Sequence, residues 1–366
     1  MRILLLANND VGLYRFRYEL VQALRREHEV FLSLPFGEFV KDFEKIGCSY
    51  VRTEFNRRGL NPLSDIILFF RYLAIMRKVK PDIVLTYTAK PNIYGGMACC
   101  LFSLPCIANI TGLGTVIEKK NVLSAFLKLL YRFGLYGANC IFFQNRYNME
   151  AMRGVFRKNA HVRLIPGSGV NVKRFFVLPY PPDDGPVKFL FIGRIMRDKG
   201  IEEFLDAFSM LQAEGIDVRA DILGDFDEES EATMNVINNN GSIHYHGFQE
   251  DIQAFIAAAH CLVLPSYHEG TANVLLEAAA SGRPVIATRV PGCQETFDEG
   301  VSGFGCEVRD AQSLAVAMRK FVQLSREEKR EMGLAGRAKM EREFDRDIVV
   351  NAYLDEMNRI LSARTE

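Results

Sequence analysis

The chain has no tryptophan, no net charge and no CxxC pair. Basic and acidic residues number 45 each, so overall charge makes no case for a nucleic-acid partner. The eight cysteines (48, 99, 100, 106, 140, 261, 293 and 306) are scattered, mostly in apolar surroundings. A chain this large needs no covalent staples, so they read as reduced core residues of a cytosolic protein. The six histidines form no cluster with cysteine at zinc-binding spacing. No uninterrupted apolar run reaches 18 residues, so no segment is expected to cross a bilayer. The opening MRILLLANND has a five-residue apolar run, too short for a signal peptide, and fits a first buried strand.

What the chain does have is alternation. Its 366 residues, 48% apolar and 25% charged, suit a globular chain of two or three domains. Short apolar runs at 3–7, 30–34, 50–53, 83–86, 106–109, 140–143 and 162–165 read as strands. Helix-spaced residues fill the intervals: Leu13, Phe16, Leu20 and Leu24, then a long helix over 63–78 ended by Pro81. Asn145 opens a further helix. Residues 178–186, LPYPPDDGP, form the clearest linker. Strands restart at 187–192, 218–223, 243–246, 261–264 and 284–288, and after Gly305 the pattern is helical over 311–322, 326–343 and 348–361. This predicts an α/β chain of two doubly wound, parallel-sheet (Rossmann-like) domains. Ligands bind such sheets beyond the carboxyl ends of the strands, so two domains facing each other would bind in a cleft between them. His244 and His246 alternate on one strand, so one of them is expected in the core.

Two stretches of the second half carry the chemistry. The first is PSYHEGTANVLLEAAASG, residues 265–282. Glu269 lies in the loop leaving the 261–264 strand, and Glu277 lies in the following helix, for which Asn273 is the expected N-cap. A helix N-terminus presents free N–H groups and partial positive charge, which suits a phosphate. Glu269 would stand beside that phosphate. Glu277, one turn in, would reach hydroxyls, because an acceptor-only carboxylate suits the diol of a ribose or sugar. Alone, the two would read as ordinary helix-end acids. The second stretch is Gly193-Arg194-Ile195-Met196-Arg197-Asp198-Lys199-Gly200, between a strand and a helix. Gly193 would let backbone approach closely, and Gly200 would allow the tight turn into the helix. Arg194 can grip phosphate oxygens bidentately while Lys199 adds a point charge. Together the stretches point to a nucleotide-linked sugar.

These motifs, GR-x4-KG and the E-x7-E from Glu269 to Glu277, resemble those of the family 4 retaining glycosyltransferases, which have the GT-B fold; the resemblance covers nearly the whole chain. It implies that Arg194 and Lys199 bind the donor diphosphate, that Glu269 contacts the transferred sugar and that Glu277 holds the ribose. It implies that Gly270 and the amides of Thr271, Ala272, Asn273 and Val274 cap the phosphate, and that His246, Gly247 and Phe248 lie near the base. Gly193 and Gly224, each just after a strand, belong to the same donor side. In the family the last helix crosses back, so the expected division is 1–177 with 346–366 as an acceptor-binding domain and 178–345 as a donor-binding one. In the first half, LTYTAKPNIYG (85–95), ITGLGT (110–115) and NRRGLNP (56–62) are similar to bacterial enzymes that extend polyprenyl-diphosphate-linked sugars, such as the N-acetylgalactosaminyltransferase of bacterial N-glycosylation. Three positions depart from the family. Asn8-Asn9-Asp10-Val11-Gly12 replaces a Gly-Gly loop, so only Gly12 could serve there. Thr88-Ala89-Lys90 stands where a histidine is common, which makes Lys90 the substitute catalytic candidate. Thr271-Ala272 replaces bulkier or glycine residues, which alters the sugar that fits.

The reaction this implies is displacement of UDP from C1 of a sugar by an acceptor hydroxyl, with retention. Positive groups fixed on the leaving diphosphate lower the charge-separation barrier. Arg194, Lys199 and the helix N-terminus would supply them, and with the chain read as having no DxD tripeptide and no His/Cys cluster, neither metal nor cofactor is expected. A retaining hydrolase would need carboxylates on both sides of C1, and Glu269 and Glu277 do not read that way. The expected acceptor is a polyprenyl-diphosphate-linked saccharide, and a lipid-linked acceptor calls for a protein that touches the bilayer. Residues 68–78 carry Arg71, Arg77 and Lys78, with Arg57 and Arg58 just before; residues 125–136 carry Lys128 and Arg132 opposite Phe126, Leu130 and Phe133. Such basic amphipathic helices can lie on anionic lipid, and the alternative is a packing helix with a solvated edge. The expected location is the cytoplasmic face of the inner membrane, peripherally bound. Two other classes share the fold: a nucleotide-sugar 2-epimerase, which needs acid/base groups at C2, and a non-catalytic nucleotide-sugar-binding subunit.

Overall fold

Ile3, Leu4, Leu5 and Leu6 are wholly buried, and their strand, β1 (Arg2–Leu6), has parallel partners on both sides. A strand covered on both faces needs a continuous apolar run, and this one has it. The computed structural model describes residues 1–56, 61–113, 122–182, 184–227 and 231–363. Arg57 and Arg58 of the 56–62 motif, and Gly114 and Thr115 of the 110–115 motif, lie outside the described residues.

The first sheet adds β2 (Glu29–Leu34), β3 (Ser49–Arg52), β4 (Ile83–Tyr87), β5 (Cys106–Ile110), β6 (Cys140–Phe143) and β7 (Val162–Leu164). Its order is β3-β2-β1-β4-β5-β6-β7, parallel throughout. The second contains β8 (Val187–Ile192), β9 (Val218–Leu223), β10 (Ile243–Tyr245), β11 (Cys261–Leu264), β12 (Val285–Thr288) and β13 (Gly303–Cys306), in the order β10-β9-β8-β11-β12-β13, also parallel. Both are the expected doubly wound α/β sheets. In each, the chain works outward from a central strand and then jumps back to the other side. Loops on either side of that switch point diverge and leave a crevice at the carboxyl ends: between β1 and β4 in one sheet, between β8 and β11 in the other.

Two elements were not expected. β13 reads GFGC, and its glycine is there for closeness: a Cβ on Gly303 would sit 2.3 Å from the Val285 carbonyl oxygen of β12. The helix Glu231–Asn239 is asparagine-rich and poor in strong helix formers.

The chain divides into Met1–Ser168 with Asp347–Glu366, and Gly169–Arg346. The division therefore falls ten residues before the proline-rich stretch expected as a linker. That stretch is strapped to the second unit. Arg283 donates to the carbonyls of Leu178 and Pro179, Arg326 to those of Tyr180 and Pro181, and the Tyr180 hydroxyl to that of His260 at 2.9 Å. Burial lowers the Arg283 pKa to about 10, so it stays charged at neutral pH. The final helix, Arg346–Ser362, packs Val349, Val350, Tyr353, Met357 and Ile360 into the core of the first unit.

All eight cysteines are free; seven are buried and Cys100 is exposed, against the expectation of a core residue. Among the described residues no helix is long and apolar enough to cross a membrane. The first unit nevertheless exposes apolar side chains along two helices. Pro62–Val79 buries Asp65, Leu68, Tyr72, Met76 and Val79 and turns Leu63, Ile66, Ile67 and Phe70 outward, followed by exposed Arg71, Arg77 and Lys78. Val122–Leu135 exposes Val122, Phe126, Leu129 and Phe133 together with Arg132, while Leu130 packs on the core. The basic and aromatic residues of this helix were expected on opposite faces; Arg132 instead shares the exposed face with Phe126 and Phe133. A short helix, Gly96–Phe102, packs against both, so close to the second that a Cβ on Gly96 would lie 2.1 Å from the Gly134 carbonyl oxygen.

Candidate functional site

The site is built from the loops that leave β8, β9 and β11. After β8 the chain runs alongside the loop after β9: the Ile195 amide donates to the Asp225 carbonyl at 2.8 Å, and the Asp227 amide returns to the Ile195 carbonyl at 3.3 Å. The glycine this contact requires is Gly224. It sits at φ +136°, and a Cβ there would lie 1.8 Å from the Gly193 carbonyl oxygen. Gly193, expected to be the close-approach residue, would give a Cβ only ordinary contacts at 3.6 Å and beyond. A 3-10 turn, Arg197–Lys199, then leads to Gly200 at φ +73°, where a Cβ would meet the Pro265 carbonyl oxygen at 2.1 Å. Gly200 thus allows the turn into the helix Ile201–Ala213, as expected, and also seats the loop against the start of the 265–282 stretch. The Tyr267 amide and Ser266 hydroxyl both donate to the Asp198 carbonyl, at 2.9 and 3.1 Å.

This packing brings Lys199 and Glu269 together across the β8/β11 switch point, where they form an ion pair with side chains 20% and 15% exposed. Arg194 is more open, at 52%, and pairs with Asp227 at 2.6 Å. Each cation expected to meet a diphosphate therefore rests on an acid. Asp227 closes an Asp225-Phe226-Asp227 tripeptide, which corrects the expectation that the chain lacks a DxD and removes that ground for expecting no metal. The Asp-x-Asp spacing could have flagged it, but its pairing with Arg194 is visible only in the fold.

The helix Asn273–Ala280 begins one residue earlier than expected. Its N-cap is Ala272, which offers no side-chain cap, and Asn273 is the first helical residue. The Ala272 amide is not available to a phosphate: it donates to the Gly292 carbonyl at 2.8 Å. Gly292 itself, at φ +87°, must be a glycine, since a Cβ would lie 2.5 Å from the Glu269 carbonyl oxygen. Thr271 is buried, its hydroxyl on the Gly270 carbonyl at 3.0 Å. Leu275, Leu276 and Ala278 face the core and Val274 packs partly against it, which leaves Asn273 and Glu277 partly exposed on one side of the helix. Glu277 thus shares the open face of the first turn.

The base-side residues differ from expectation in one respect. Neither His244 nor His246 enters the core: His244 is exposed, and the half-buried His246 bonds Asp221 through Nε2 at 2.6 Å. The buried histidine is His260, with the Lys188 amide donating to its Nδ1 at 3.0 Å. Gly247 joins this loop to the one after β9, its carbonyl accepting from the Gly224 amide at 2.8 Å, and Phe248 is exposed beside it.

At the β1/β4 switch point of the first unit the picture is different. Asn9 caps the helix Asp10–Arg25, accepting from the Gly12 amide, so the one glycine able to replace the Gly-Gly loop has its N–H occupied. Lys90 pairs with Asp65 at 2.7 Å, with side chains only 11% and 7% exposed. Tyr94 donates to the other oxygen of Asp65 at 3.0 Å; burial first, and Asp65 second, raise its pKa far above that of a free phenol. Asp65 was missed, and the signal was present: an acid in the buried apolar stripe of the helix Pro62–Val79. Thr88 takes a left-handed backbone, φ +70°, a strained conformation for a β-branched residue.

Comparison with known proteins gives the same reading for both halves. A family model described as "Glycosyl transferases group 1" matches residues 186–323, and one described as "Glycosyl transferase 4-like" matches residues 2–145. The chain is 27% identical, over 99% of both lengths, to N,N'-diacetylbacillosaminyl-diphospho-undecaprenol alpha-1,3-N-acetylgalactosaminyltransferase of Campylobacter jejuni. It is 25% identical, over 80% of both lengths, to the capsular polysaccharide biosynthesis glycosyltransferase CapM of Staphylococcus aureus. Among solved structures, Anabaena Alr3699/HepE in complex with UDP and glucose superposes with a TM-score of 0.80 at 18% identity, covering 98% of this chain and 99% of the other.

Proposed function

We propose that this chain, which belongs to the family 4 (group 1) glycosyltransferases, moves a hexose or N-acetylhexosamine from a UDP-sugar to a polyprenyl-diphosphate-linked saccharide, with retention and without a metal. The observation that carries the reading is the Lys199–Glu269 pair across the β8/β11 switch point, with Arg194 on the adjoining loop. The donor diphosphate would take Lys199 and Arg194 from their carboxylates. Glu269, released, would turn to hydroxyls of the sugar, while Glu277 on the open helix face holds the ribose diol. As the bond to C1 breaks, negative charge grows on the leaving oxygen, where two cations and a helix N-terminus are already aimed. Donor binding on these terms parts Arg194 from Asp227, so the metal-free reading rests on the two cations meeting the diphosphate charge in place of a metal.

The acceptor class follows from the relatives: the Campylobacter enzyme is named for a diphospho-undecaprenol-linked sugar, and CapM for capsular polysaccharide. It is supported by the exposed row of Leu63, Ile66, Ile67, Phe70, Phe126, Leu129 and Phe133, set among Arg71, Arg77, Lys78 and Arg132. Exposed apolar side chains with exposed cations on the same helices suit an anionic bilayer surface, which would hold the protein peripherally beside its acceptor.

The test is transfer. Purified protein, EDTA, radiolabelled UDP-sugars and vesicles carrying a polyprenyl-diphosphate-linked saccharide should give a longer lipid-linked glycan of α configuration when the donor sugar is α-linked. Hydrolysis or epimerisation of the donor with no acceptor dependence would contradict the reading. Co-sedimentation with vesicles of phosphatidylcholine and phosphatidylglycerol should be strong for the wild type and lost in a Phe70→Ser, Phe126→Ser, Phe133→Ser variant. Equal sedimentation of the two would remove these helices from the membrane surface.

A further inference from the structure

Arg17 and Arg283 both lie in the interior with no carboxylate partner, and they differ in what completes them. Arg283, 1% exposed, donates to the carbonyls of Leu178, Pro179, Ile256, Ala257 and Ala259 at 2.6–3.1 Å. Arg17, 4% exposed, makes one hydrogen bond, from Nη1 to the Phe16 carbonyl at 2.9 Å. A guanidinium has five N–H donors, and the fold matches only one of those of Arg17; its other nitrogens are not sealed from solvent. The first arginine is finished by the fold; the second is not.

The surroundings of Arg17 are equally unfinished. It occupies the core-facing stripe of the helix Asp10–Arg25, with Leu13, Leu20, Val21 and Leu24. Its guanidinium lies 5.6 Å from the ring centre of Tyr87, the last residue of β4, and the Tyr353 ring is 6.2 Å from that of Tyr87. Asn109, level with Tyr87 on β5, donates to the Tyr353 hydroxyl at 2.6 Å, but its own amide oxygen is buried without a donor. The buried Thr88 hydroxyl has no partner either, on the strained residue just after β4. Unmatched polar groups are thus gathered at the carboxyl ends of β4 and β5, beside the switch point of the first unit.

We propose that Arg17 is an anion-binding residue of the first unit that takes phosphoryl oxygens of the acceptor, with the Thr88 hydroxyl as a second contact; the word acceptor here rests on the glycosyltransferase reading above. A guanidinium fork matches two phosphoryl oxygens, and most of the Arg17 donors have no protein partner.

Thermal melting in EDTA with saturating UDP tests this, because UDP occupies the diphosphate site of the second unit and its own shift reports separately on the donor reading. Inorganic pyrophosphate and farnesyl diphosphate are then added in parallel. The wild type should show a further rise, and Arg17→Met should lose it while keeping the UDP shift and melting, without ligand, at or above the wild type. Arg17→Lys should keep part of the rise. A rise with farnesyl diphosphate alone assigns the site to a lipid head; a rise with both assigns it to the phosphoryl group itself. An unchanged rise in Arg17→Met, or none in a wild type that responds to UDP, would overturn the proposal. So would Met and Lys variants that both melt far below the wild type, which would make Arg17 a structural strut like Arg283.

Discussion

The two units share a strand order and a switch point, and each sets a lysine–carboxylate pair beside it, yet the pairs are built for different ends. Lys199 reaches across the crevice from one strand-end loop to Glu269 on another, and the side chains keep 20% and 15% of their surface. Lys90 is held by Asp65, which projects from the buried face of a packing helix and is also bonded to Tyr94; there the exposures fall to 11% and 7%. The second unit also places Gly200, Gly224 and Gly292 where backbone meets backbone, whereas the first uses the capped Gly12 and a strained Thr88. One crevice is lined by bare backbone and exchangeable charges, which suits a diphosphate. At the other, Lys90 is committed to Asp65, which makes it a poor candidate for the catalytic role expected of it, while Arg17 and the Thr88 hydroxyl are left with donors unmatched.

The sharpest way to break this comparison is at the glycines. Gly224→Ala should destabilise the second unit by on the order of 4 kcal/mol, because its Cβ would overlap the Gly193 carbonyl oxygen, while Gly193→Ala should melt near the wild type. Equal melting temperatures for the two would mean that the loop packing is wrong. Next comes the buried pair. Lys90→Ala leaves the Asp65 carboxyl without its cation in the interior and should cost about 3–5 kcal/mol in denaturant titration with UDP affinity intact. A fully stable, catalytically dead Lys90→Ala would restore its catalytic role. Lys199→Ala should do the reverse, lowering donor binding roughly ten- to a hundredfold, the worth of one charged hydrogen bond, with little change in stability.

The smallest effect concerns acid. Burial alone would raise the Glu356 carboxyl, but the charges of Arg359, His161 and Arg163 outweigh it and hold the pKa below the usual 4.5. A depressed pKa gives stability that is present above about 4.5 and lost as pH falls through the lower folded value. Glu356 ties the final helix to the first unit, so unfolding titrations between pH 7 and 3 should show stability falling more steeply in the wild type than in Glu356→Gln. Parallel slopes would remove the carboxylate from the acid response.

Much of this was legible in the chain, for reasons particular residues make plain. The strands of both sheets were readable because parallel strands buried on both faces leave unbroken runs such as ILLL and CLVL. β13 was not, since GFGC trades side chains for close approach to β12. The cations and glutamates of the second unit stand within short motifs and could be picked out by spacing. Resting partners outside those motifs could not: Arg194 and Asp227 are 33 residues apart, and in the first unit Lys90 and Asp65 are 25 apart. Which glycine is obligatory was equally hidden, because both follow a strand and only the fold shows that Gly224 takes φ +136° and backs onto the Gly193 carbonyl.

The central claim is that the Lys199–Glu269 crevice is a metal-independent diphosphate site. Calorimetric titration of UDP into wild type and Lys199→Ala, both in EDTA, tests it most directly. The account predicts binding by the wild type, weakened about ten- to a hundredfold in the variant. Equal affinities, or binding that appears only when a divalent cation is restored, would contradict it.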